Sequence, residues 1–307
     1  MDKEAKVFVA GHETMAGAAI LRRAKAAGYR TVLPQNPDLT DQKNVFDFFN
    51  AEKPDYVFIA SAKVGGILAN SRFPAEFIFQ NIQTQTNVIH AAWKSGVKKL
   101  LYLGSSCMYP KASPQPMKEE YLMTGMLEPT SEPYALAKIA GFRMCQAYKK
   151  QYGANFIAAV PADMYGPMDD FNPETGHVLA ALMSKMHLAK TNGQSSVTVW
   201  GTGSPKRDCL YVDDMADAAF FLMDKYSDTE LINIGSGQDI SIKEMAGIIK
   251  GAVGFKGDII FDTSKPDGMP RKLLEVSKIR QLGWAPRVGM EQGMRQTYEW
   301  YKTNIKT

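Results

Sequence analysis

Four residues in the middle of the chain have side chains suited to acid–base chemistry near neutral pH. Ser105 and Cys107 follow the apolar run Lys99–Leu103, and Tyr134 and Lys138 come later in the sequence. The run predicts a short buried strand, and ligands of open α/β sheets bind at the carboxyl ends of such strands. A hydroxyl, a thiol, a phenol and an ammonium at that edge indicate a site that moves protons.

Tyr134 and Lys138 are spaced so that they share one face of a helix. The helix is predicted to begin at Glu132, because Ser131 is a suitable N-cap and Pro133 is tolerated in the first turn. A lysine cation at this distance is expected to lower the pKa of the phenol, whose ordinary value is about 10. The spacing alone also fits an ordinary tyrosine and lysine pair on a surface.

A glycine turn near the amino terminus is of the kind that binds a dinucleotide. The predicted strand Val7–Ala10 ends at Gly11, and Gly17 leads into a predicted helix over 18–27. Glycines at these places let the backbone approach a pyrophosphate at the start of a helix. Thr14 stands where a G-x-x-G-x-x-G turn has its middle glycine, so the match is incomplete.

The loop after the second predicted strand usually distinguishes NAD from NADP. That strand covers 30–33 and the loop covers 34–38. The loop has no arginine, and no acidic residue directly follows Leu33. The loop therefore gives no indication of the phosphate state of the cofactor.

Strands and helices continue to alternate along the rest of the chain. Strands are predicted over 56–60, 156–160, 197–201 and 231–235, and helices over 74–95, from 213, and over 242–253 with Ser241 as N-cap. This order predicts an α/β fold: a Rossmann-type doubly wound parallel sheet with a smaller carboxy-terminal substrate-binding lobe. We expect the nucleotide-binding domain over 1–168, with later segments returning to it, and the lobe mainly over 169–307.

The composition indicates which kinds of partner and which cellular compartment to expect. The 307 residues include 36 Lys and Arg against 32 Asp and Glu, a net charge of +4 without a basic stripe, so a nucleic-acid partner is not expected. Cys107, Cys145 and Cys209 are too few and too scattered for a disulfide framework or a metal cluster. With no signal-type or membrane-spanning segment in the sequence, we expect a cytoplasmic protein that binds an anionic small molecule.

These motifs resemble the extended short-chain dehydrogenase/reductases that act on nucleotide sugars. The resemblance rests on Gly11, Gly17, Ser105, Tyr134, Lys138 and the triplet Tyr165-Gly166-Pro167. Within that group, the segments 62–67, 104–110, 177–178 and 264–268 are similar to the GDP-L-fucose synthase family. The similarity extends over nearly the whole chain.

The resemblance implies an enzyme that epimerises GDP-4-keto-6-deoxy-D-mannose at C3 and C5 and then reduces C4 with NADPH, giving GDP-L-fucose. It also implies a homodimer packed through the helices after Pro74 and Pro133. Two alternatives stay open. One is an enzyme for another GDP-4-keto sugar, such as a dideoxyhexose or a heptose, and the other is a relative that binds a nucleotide sugar without turnover.

By the same resemblance, Tyr134 protonates the C4 oxygen, Lys138 binds the nicotinamide ribose and Ser105 hydrogen-bonds the carbonyl. Cys107 and His177 match the pair that exchanges protons beside the ketone, since both side chains titrate close to neutral pH. Taken singly, a cysteine or a histidine is more often a small buried thiol or a hydrogen-bonded core histidine than a catalytic group.

The remaining implied site residues hold the cofactor and the GDP group. The cofactor-binding residues are Gly11, Thr14, Met15, Gly17, Ala62, Leu103, Gly104, Ser105, Tyr134, Lys138, Pro161, Asp163, Met164 and His177. The substrate-binding residues are Lys185, Trp200, Arg207 and Lys265. An arginine can bind phosphate through two donors, and a tryptophan offers an apolar face. We expect 265–272 to form a basic turn.

Three residues depart from the family pattern. Glu13 and Thr14 stand where a basic residue and a glycine are usual, and Asp163 stands where asparagine is usual. A carboxylate near the ribose 2′-phosphate would repel it. We therefore expect a weaker preference for NADPH than is usual in the family, and NAD is not excluded as a cofactor.

Overall fold

A parallel sheet forms the centre of the molecule, in a computed structural model that describes residues 1–32, 37–265 and 267–305. The strands are β1 (Lys6–Ala10), β2 (Arg30–Val32), β3 (Tyr56–Ile59), β4 (Lys99–Leu103), β5 (Phe156–Pro161), β6 (Asp163–Tyr165), β7 (Ser196–Trp200), β8 (Lys206–Tyr211), β9 (Ile232–Ile234), β10 (Asp239–Ser241), β11 (Asp258–Asp262) and β12 (Arg271–Lys272). Over the described ranges, the central sheet has the order β2-β1-β3-β4-β5-β9 with parallel neighbours throughout. The Rossmann-type sheet predicted from the sequence is confirmed.

Helices connect these strands and cover the sheet. They are α1 (Met15–Ala26), α2 (Gln42–Glu52), α3 (Ile67–Arg72), α4 (Pro74–Lys94), α5 (Glu132–Tyr152), α6 (Val178–Thr191), α7 (Val212–Lys225), α8 (Ile242–Val253), α9 (Ser277–Gln281) and α10 (Met290–Asn304). The predicted starts of α4, α5 and α8 agree with the structure. Helix α1 begins earlier than predicted because Thr14 caps it.

Two groups of apolar side chains form the interior. The first surrounds the central sheet, where every residue of β4 is buried, and it includes Leu210 and Ile234 from later in the chain. The second lies among α6, α8 and α10 and the parallel pair β7 and β11, and it includes Met186 and Tyr301. The predicted boundary at residue 168 stays a prediction.

A small sheet between these groups was not predicted. Strand β8 pairs with β10 and β12, and β6 also pairs with β8. The sequence had predicted a turn over 265–272, but Arg271 and Lys272 form β12 instead, because their backbone pairs with Lys206 and Arg207 of β8. Pro266 of that segment lies outside the described residues.

The loop after β2, where NAD and NADP are usually distinguished, lies mainly outside the described residues, since 33–36 are not among them. Within the described part of the chain, no helix is long and apolar enough to cross a membrane. The same residues contain no group of histidine, cysteine, aspartate or glutamate side chains that could hold a metal ion.

Candidate functional site

The glycine turn after β1 is shaped by close backbone contacts. Gly11 has a φ of +85°, and a Cβ there would lie 2.4 Å from Cα of Ser61. A Cβ on Gly17 would lie 1.9 Å from the carbonyl oxygen of Gly11. Only glycine fits at either position, and the resulting close turn at the start of α1 suits the pyrophosphate of a dinucleotide.

Thr14 has a structural role in this turn that was not predicted from the sequence. Its hydroxyl donates to the carbonyl oxygen of Gly11 at 2.8 Å and accepts from the amide of Gly17 at 3.1 Å. The side chain therefore caps α1 and holds the two glycines together.

Glu13 is exposed beside the turn, with its side chain 67% accessible. A carboxylate oxygen of Glu13 lies 3.5 Å from Nδ1 of His12. The acidic side chain is thus available at the place where the family usually has a basic one.

Tyr134, Lys138 and Ser105 meet at the carboxyl end of β4. Tyr134 is 9% exposed, and the Ser105 side chain lies beside its phenol. Nζ of Lys138 donates to the carbonyl oxygen of Leu103 at 3.0 Å and lies 6.0 Å from the centre of the Tyr134 ring. The predicted common face of α5 is present, and α5 presents both side chains to the strand end.

The prediction that Lys138 lowers the pKa of the Tyr134 phenol is wrong. Burial raises the pKa of the Tyr134 phenol well above its ordinary value, and the negative charge of Cys107 raises it further, whereas the neighbouring Ser105 side chain opposes both. Burial also lowers the pKa of Lys138 to about 8. The sequence gives the spacing of the two residues but not their burial, which dominates both values.

Cys107 lies on a short 3-10 helix, Ser106–Met108, directly after β4. Its thiol is half-buried, and Nζ of Lys272 is 3.7 Å from Sγ. The same ammonium donates to Oδ1 of Asp163 at 3.0 Å. Lys272 was not predicted to be a site residue. The only indication in the sequence was its place at the end of the basic segment 265–272.

Asp163 joins several parts of the site. Its Oδ1 also accepts from the Ser106 hydroxyl at 3.3 Å, and its Oδ2 lies 3.9 Å from Nε of Arg207. Burial opposes ionisation of this carboxyl, but Lys272, Arg207 and His177 lower its pKa below the ordinary value. Asp163 stands where asparagine is usual in the family, and the extra negative charge that it adds is therefore paired with cations.

His177 directly precedes α6 and is 44% exposed. Its Nδ1 lies 3.2 Å from Oδ1 of Asp169, whose side chain is 3% exposed. The bond to Asp169 raises the pKa of His177, and Asp163 and Asp170 add to the effect while burial opposes it. Asp169 was not identified from the sequence, although it lies in the loop after the Tyr165-Gly166-Pro167 triplet.

The predicted GDP-binding residues are divided between two places. Lys265 and Trp200 form a pair, with Nζ 5.7 Å from the centre of the ring, and the ring is 59% exposed. Arg207 donates to the carbonyl oxygen of Met269 at 2.7 Å and lies beside Asp163 in the catalytic region. Lys185 is half-buried on α6, the helix that follows His177.

The other predicted cofactor residues follow the ends of the central strands. Leu103 ends β4 and Gly104 follows it, Pro161 ends β5, Met164 lies in β6 directly after it, Ala62 follows β3, and Met15 begins α1. Carboxyl ends of parallel strands lie along one edge of a sheet. A dinucleotide along that edge would reach from the glycine turn to Tyr134, so the residues present fit such a cofactor.

Comparison with known proteins places this geometry in a family. The model of the NAD dependent epimerase/dehydratase family matches residues 7–235. GDP-L-fucose synthase 1 of Arabidopsis thaliana is 54% identical over 307 residues, covering 99% of this chain and 95% of the relative.

Solved structures give the same grouping. A GDP-mannoheptose C4 reductase from Campylobacter jejuni with NADP bound is 40% identical with a TM-score of 0.88, covering 98% of this chain and 99% of the other. A GDP-L-fucose synthetase from Naegleria fowleri bound to NADP is 28% identical with a TM-score of 0.91, and the coverage is 99% and 96%. The resemblance to dehydrogenase/reductases that act on nucleotide sugars is confirmed.

Proposed function

Because the chain belongs to the NAD dependent epimerase/dehydratase family, we propose that it converts GDP-4-keto-6-deoxy-D-mannose to GDP-L-fucose. The reaction epimerises C3 and C5 and then reduces the C4 ketone. One observation carries the proposal: the buried Tyr134 phenol, with the Ser105 side chain beside it, lies at the same strand end as the Cys107 thiol. Identity of 54% to a GDP-L-fucose synthase over nearly the full length supports it.

The reduction depends on the donors at the C4 oxygen. NADPH, when bound, supplies the hydride. Tyr134 holds its proton at neutral pH because burial raises the pKa of the phenol, so it can donate to the oxygen as negative charge develops there. Ser105 gives a second hydrogen bond to the same oxygen, and Lys138 places a positive charge near the phenol.

The epimerisation depends on a base and an acid beside the ketone. The Cys107 thiolate takes a proton from a carbon next to C4, and the electron pair moves onto the C4 oxygen as an enolate. Tyr134 and Ser105 stabilise that oxygen as they do in the reduction. His177, which Asp169 keeps more basic, returns a proton to the opposite face of the carbon.

The GDP group is held by the predicted substrate residues. The guanidinium of Arg207 suits a phosphate oxygen, and the exposed Trp200 ring with Lys265 above it suits a base and a phosphate charge. Lys185 on α6 adds a further positive charge. We also propose NADP as the cofactor, as in the two related structures with NADP bound, and a cytoplasmic homodimer.

A second substrate deserves a direct test because one related structure is named a GDP-mannoheptose C4 reductase. The keto sugar of that reaction differs at the exocyclic carbons but presents the same GDP group and C4 ketone. The relative without turnover is the other alternative, and it is disfavoured by the intact arrangement of Tyr134, Ser105 and Lys138.

The deciding experiment is to incubate the purified protein with GDP-4-keto-6-deoxymannose and NADPH and follow the loss of nicotinamide absorbance. A GDP-4-keto-heptose is used in a parallel incubation, and NMR identifies each product. We expect GDP-L-fucose from the first sugar. Faster turnover of the heptose would make that sugar the assigned substrate. If NADPH is oxidised with neither sugar, only a binding role remains.

A further inference from the structure

The ammonium of Lys272 lies against the Cys107 thiol from a different part of the chain. Strand β12 places Lys272 in register with Arg207 of β8. Nζ then lies 3.7 Å from Sγ of Cys107 and 3.0 Å from Oδ1 of Asp163. The lysine side chain is 15% exposed, so bulk water screens this contact only in part.

Lys272 remains a cation in this position. Burial opposes the charge, but Asp163 and Cys107 together raise the pKa of the ammonium above its ordinary value. The carboxylate of Asp163 fixes the side chain, and Arg207 and His177 in turn favour the ionised carboxylate. A fixed positive charge within hydrogen-bond range favours a thiolate over a thiol.

We propose that Lys272 is a positioning residue that holds Cys107 as a thiolate, and that Asp163 limits this effect by neutralising part of the lysine charge. The inference rests on the proposed function, because the thiolate is the base that epimerisation requires. It also gives Asp163 a role, since a carboxylate in place of the usual asparagine adds a charge next to the base.

The other titratable groups around Cys107 do not supply this charge. Tyr134 faces it from α5 and is neutral at pH 7, because burial raises the pKa of the phenol. Arg207 of β8 and His177 before α6 act on Asp163, and therefore on Cys107 through the lysine and carboxylate pair. The cation that touches the sulfur is the one from β12.

The test is the rate at which iodoacetamide alkylates Cys107 in the full chain without sugar, measured by mass spectrometry of the peptide. The ratio of the rate at pH 7 to the rate at pH 10 is compared between variants, because a change in access alone alters both rates equally. We expect Lys272→Met to lower the ratio about tenfold and Lys272→Arg to restore most of it. Asp163→Asn should raise the ratio about threefold, since the lysine charge is then no longer neutralised.

Cys145 provides the control for folding, because it is buried in α5 and should react only when the chain unfolds. An unchanged ratio in folded Lys272→Met overturns the proposal. If Lys272→Met exposes Cys145, the decision rests on Asp163→Asn, which keeps the lysine and an oxygen acceptor for it. An equal or lower ratio in Asp163→Asn then overturns the proposal.

A parallel measurement separates this inference from the proposed function. Wild-type protein is incubated with the GDP-keto sugar and oxidised cofactor in deuterated water, and NMR follows exchange at C3 and C5. If alkylation responds as expected but no deuterium enters the sugar, the assigned function fails and the thiolate assignment stands. If deuterium enters the sugar but the ratio of alkylation rates is the same in Lys272→Met as in wild type, the function stands and this inference fails.

Discussion

In the proposed function, reduction depends on the Tyr134 phenol, which is buried at the end of β4. Tyr134→Phe removes the hydroxyl and keeps the ring that packs against Phe77. We expect reduction of the keto sugar to fall by about 10²- to 10⁴-fold with little change in GDP binding. Stopped-flow absorbance gives the first quantity and calorimetry with GDP gives the second.

Tyr152→Phe is a matched control at the far end of the same helix, where the side chain is 46% exposed. It should keep the wild-type rate. Reduction at a near-normal rate in Tyr134→Phe would leave the residue with only a packing role.

The exposed carboxylate of Glu13 is expected to weaken the preference for NADPH over NADH. Glu13→Arg replaces a repulsive charge with a donor that binds phosphate. We expect the ratio of kcat/KM for NADPH to that for NADH to rise about tenfold. Steady-state kinetics with both cofactors measures it, and Glu13→Gln should give a smaller rise because it only removes the repulsion. A strong NADPH preference that Glu13→Arg leaves unchanged would exclude Glu13 from discrimination.

The ion pair of His177 with Asp169 predicts a dependence of stability on pH. Asp169 raises the pKa of His177 above its ordinary value of 6.5. A group whose pKa is raised by folding contributes stability below its unfolded pKa and loses it as the pH rises through the folded value. Asp169→Asn should therefore destabilise the protein more at about pH 5.5 than at about pH 9.

Urea unfolding at both pH values measures that difference, and the imidazole NMR resonance of His177 should titrate at a lower pH in Asp169→Asn than in wild type. His187 serves as the internal reference, because burial lowers its pKa and Asp169 is not among the groups acting on it. An equal loss of stability at both pH values would show that Asp169 acts by packing alone.

At the scale of the element, the start of α1 depends on one hydroxyl. The Thr14 side chain joins Gly11 and Gly17 through two hydrogen bonds. Thr14→Ala should lower the free energy of unfolding by about 1 kcal/mol, and Thr14→Ser should lower it much less because the hydroxyl is kept. Urea unfolding of both variants tests this, and equal losses would mean that the methyl group rather than the cap stabilises the turn.

The elements that local patterns specify were predicted well, and those that depend on distant pairing were not. Strand β4 is a continuous apolar run, and α5 has a start signal and a helical spacing, so the positions of Ser105 and Tyr134 followed from the sequence. Strand β12 has two residues and no periodicity of its own. It exists because β8 pairs with it, so the approach of Lys272 to Cys107 could not be read from the sequence.

At the scale of the molecule, the site lies where the two apolar groups meet. Strand β8 belongs to both, since Leu210 packs with the first group and Tyr211 with the second. The small sheet around β8 also carries Asp163 and Lys272. Cofactor residues from the central sheet and charged residues from the small sheet therefore converge on one strand end, which explains why neither part of the chain contains the whole site.

The proposed homodimer also belongs to this scale. Phe79 on α4 and Leu136 on α5 are 59% and 45% exposed, and these are the two helices through which the family resemblance implies packing. A carboxylate buried in such an interface without a partner would be strongly unfavourable. We expect Phe79→Glu with Leu136→Glu to raise the dissociation constant of the dimer at least tenfold, an effect of about 1.4 kcal/mol or more.

Light scattering coupled to size-exclusion chromatography, over a dilution series, measures the mass of each variant. Leu282→Glu is the matched control, because this leucine is also exposed, at 39%, but belongs to neither α4 nor α5 and directly follows α9. It should stay dimeric at concentrations where the double variant is monomeric. A wild-type monomer at all concentrations, or a double variant as dimeric as wild type, would contradict packing through α4 and α5. Because the Tyr134 phenol lies on α5, kcat measured across the same dilution series then shows whether the dimer also holds Tyr134 in place.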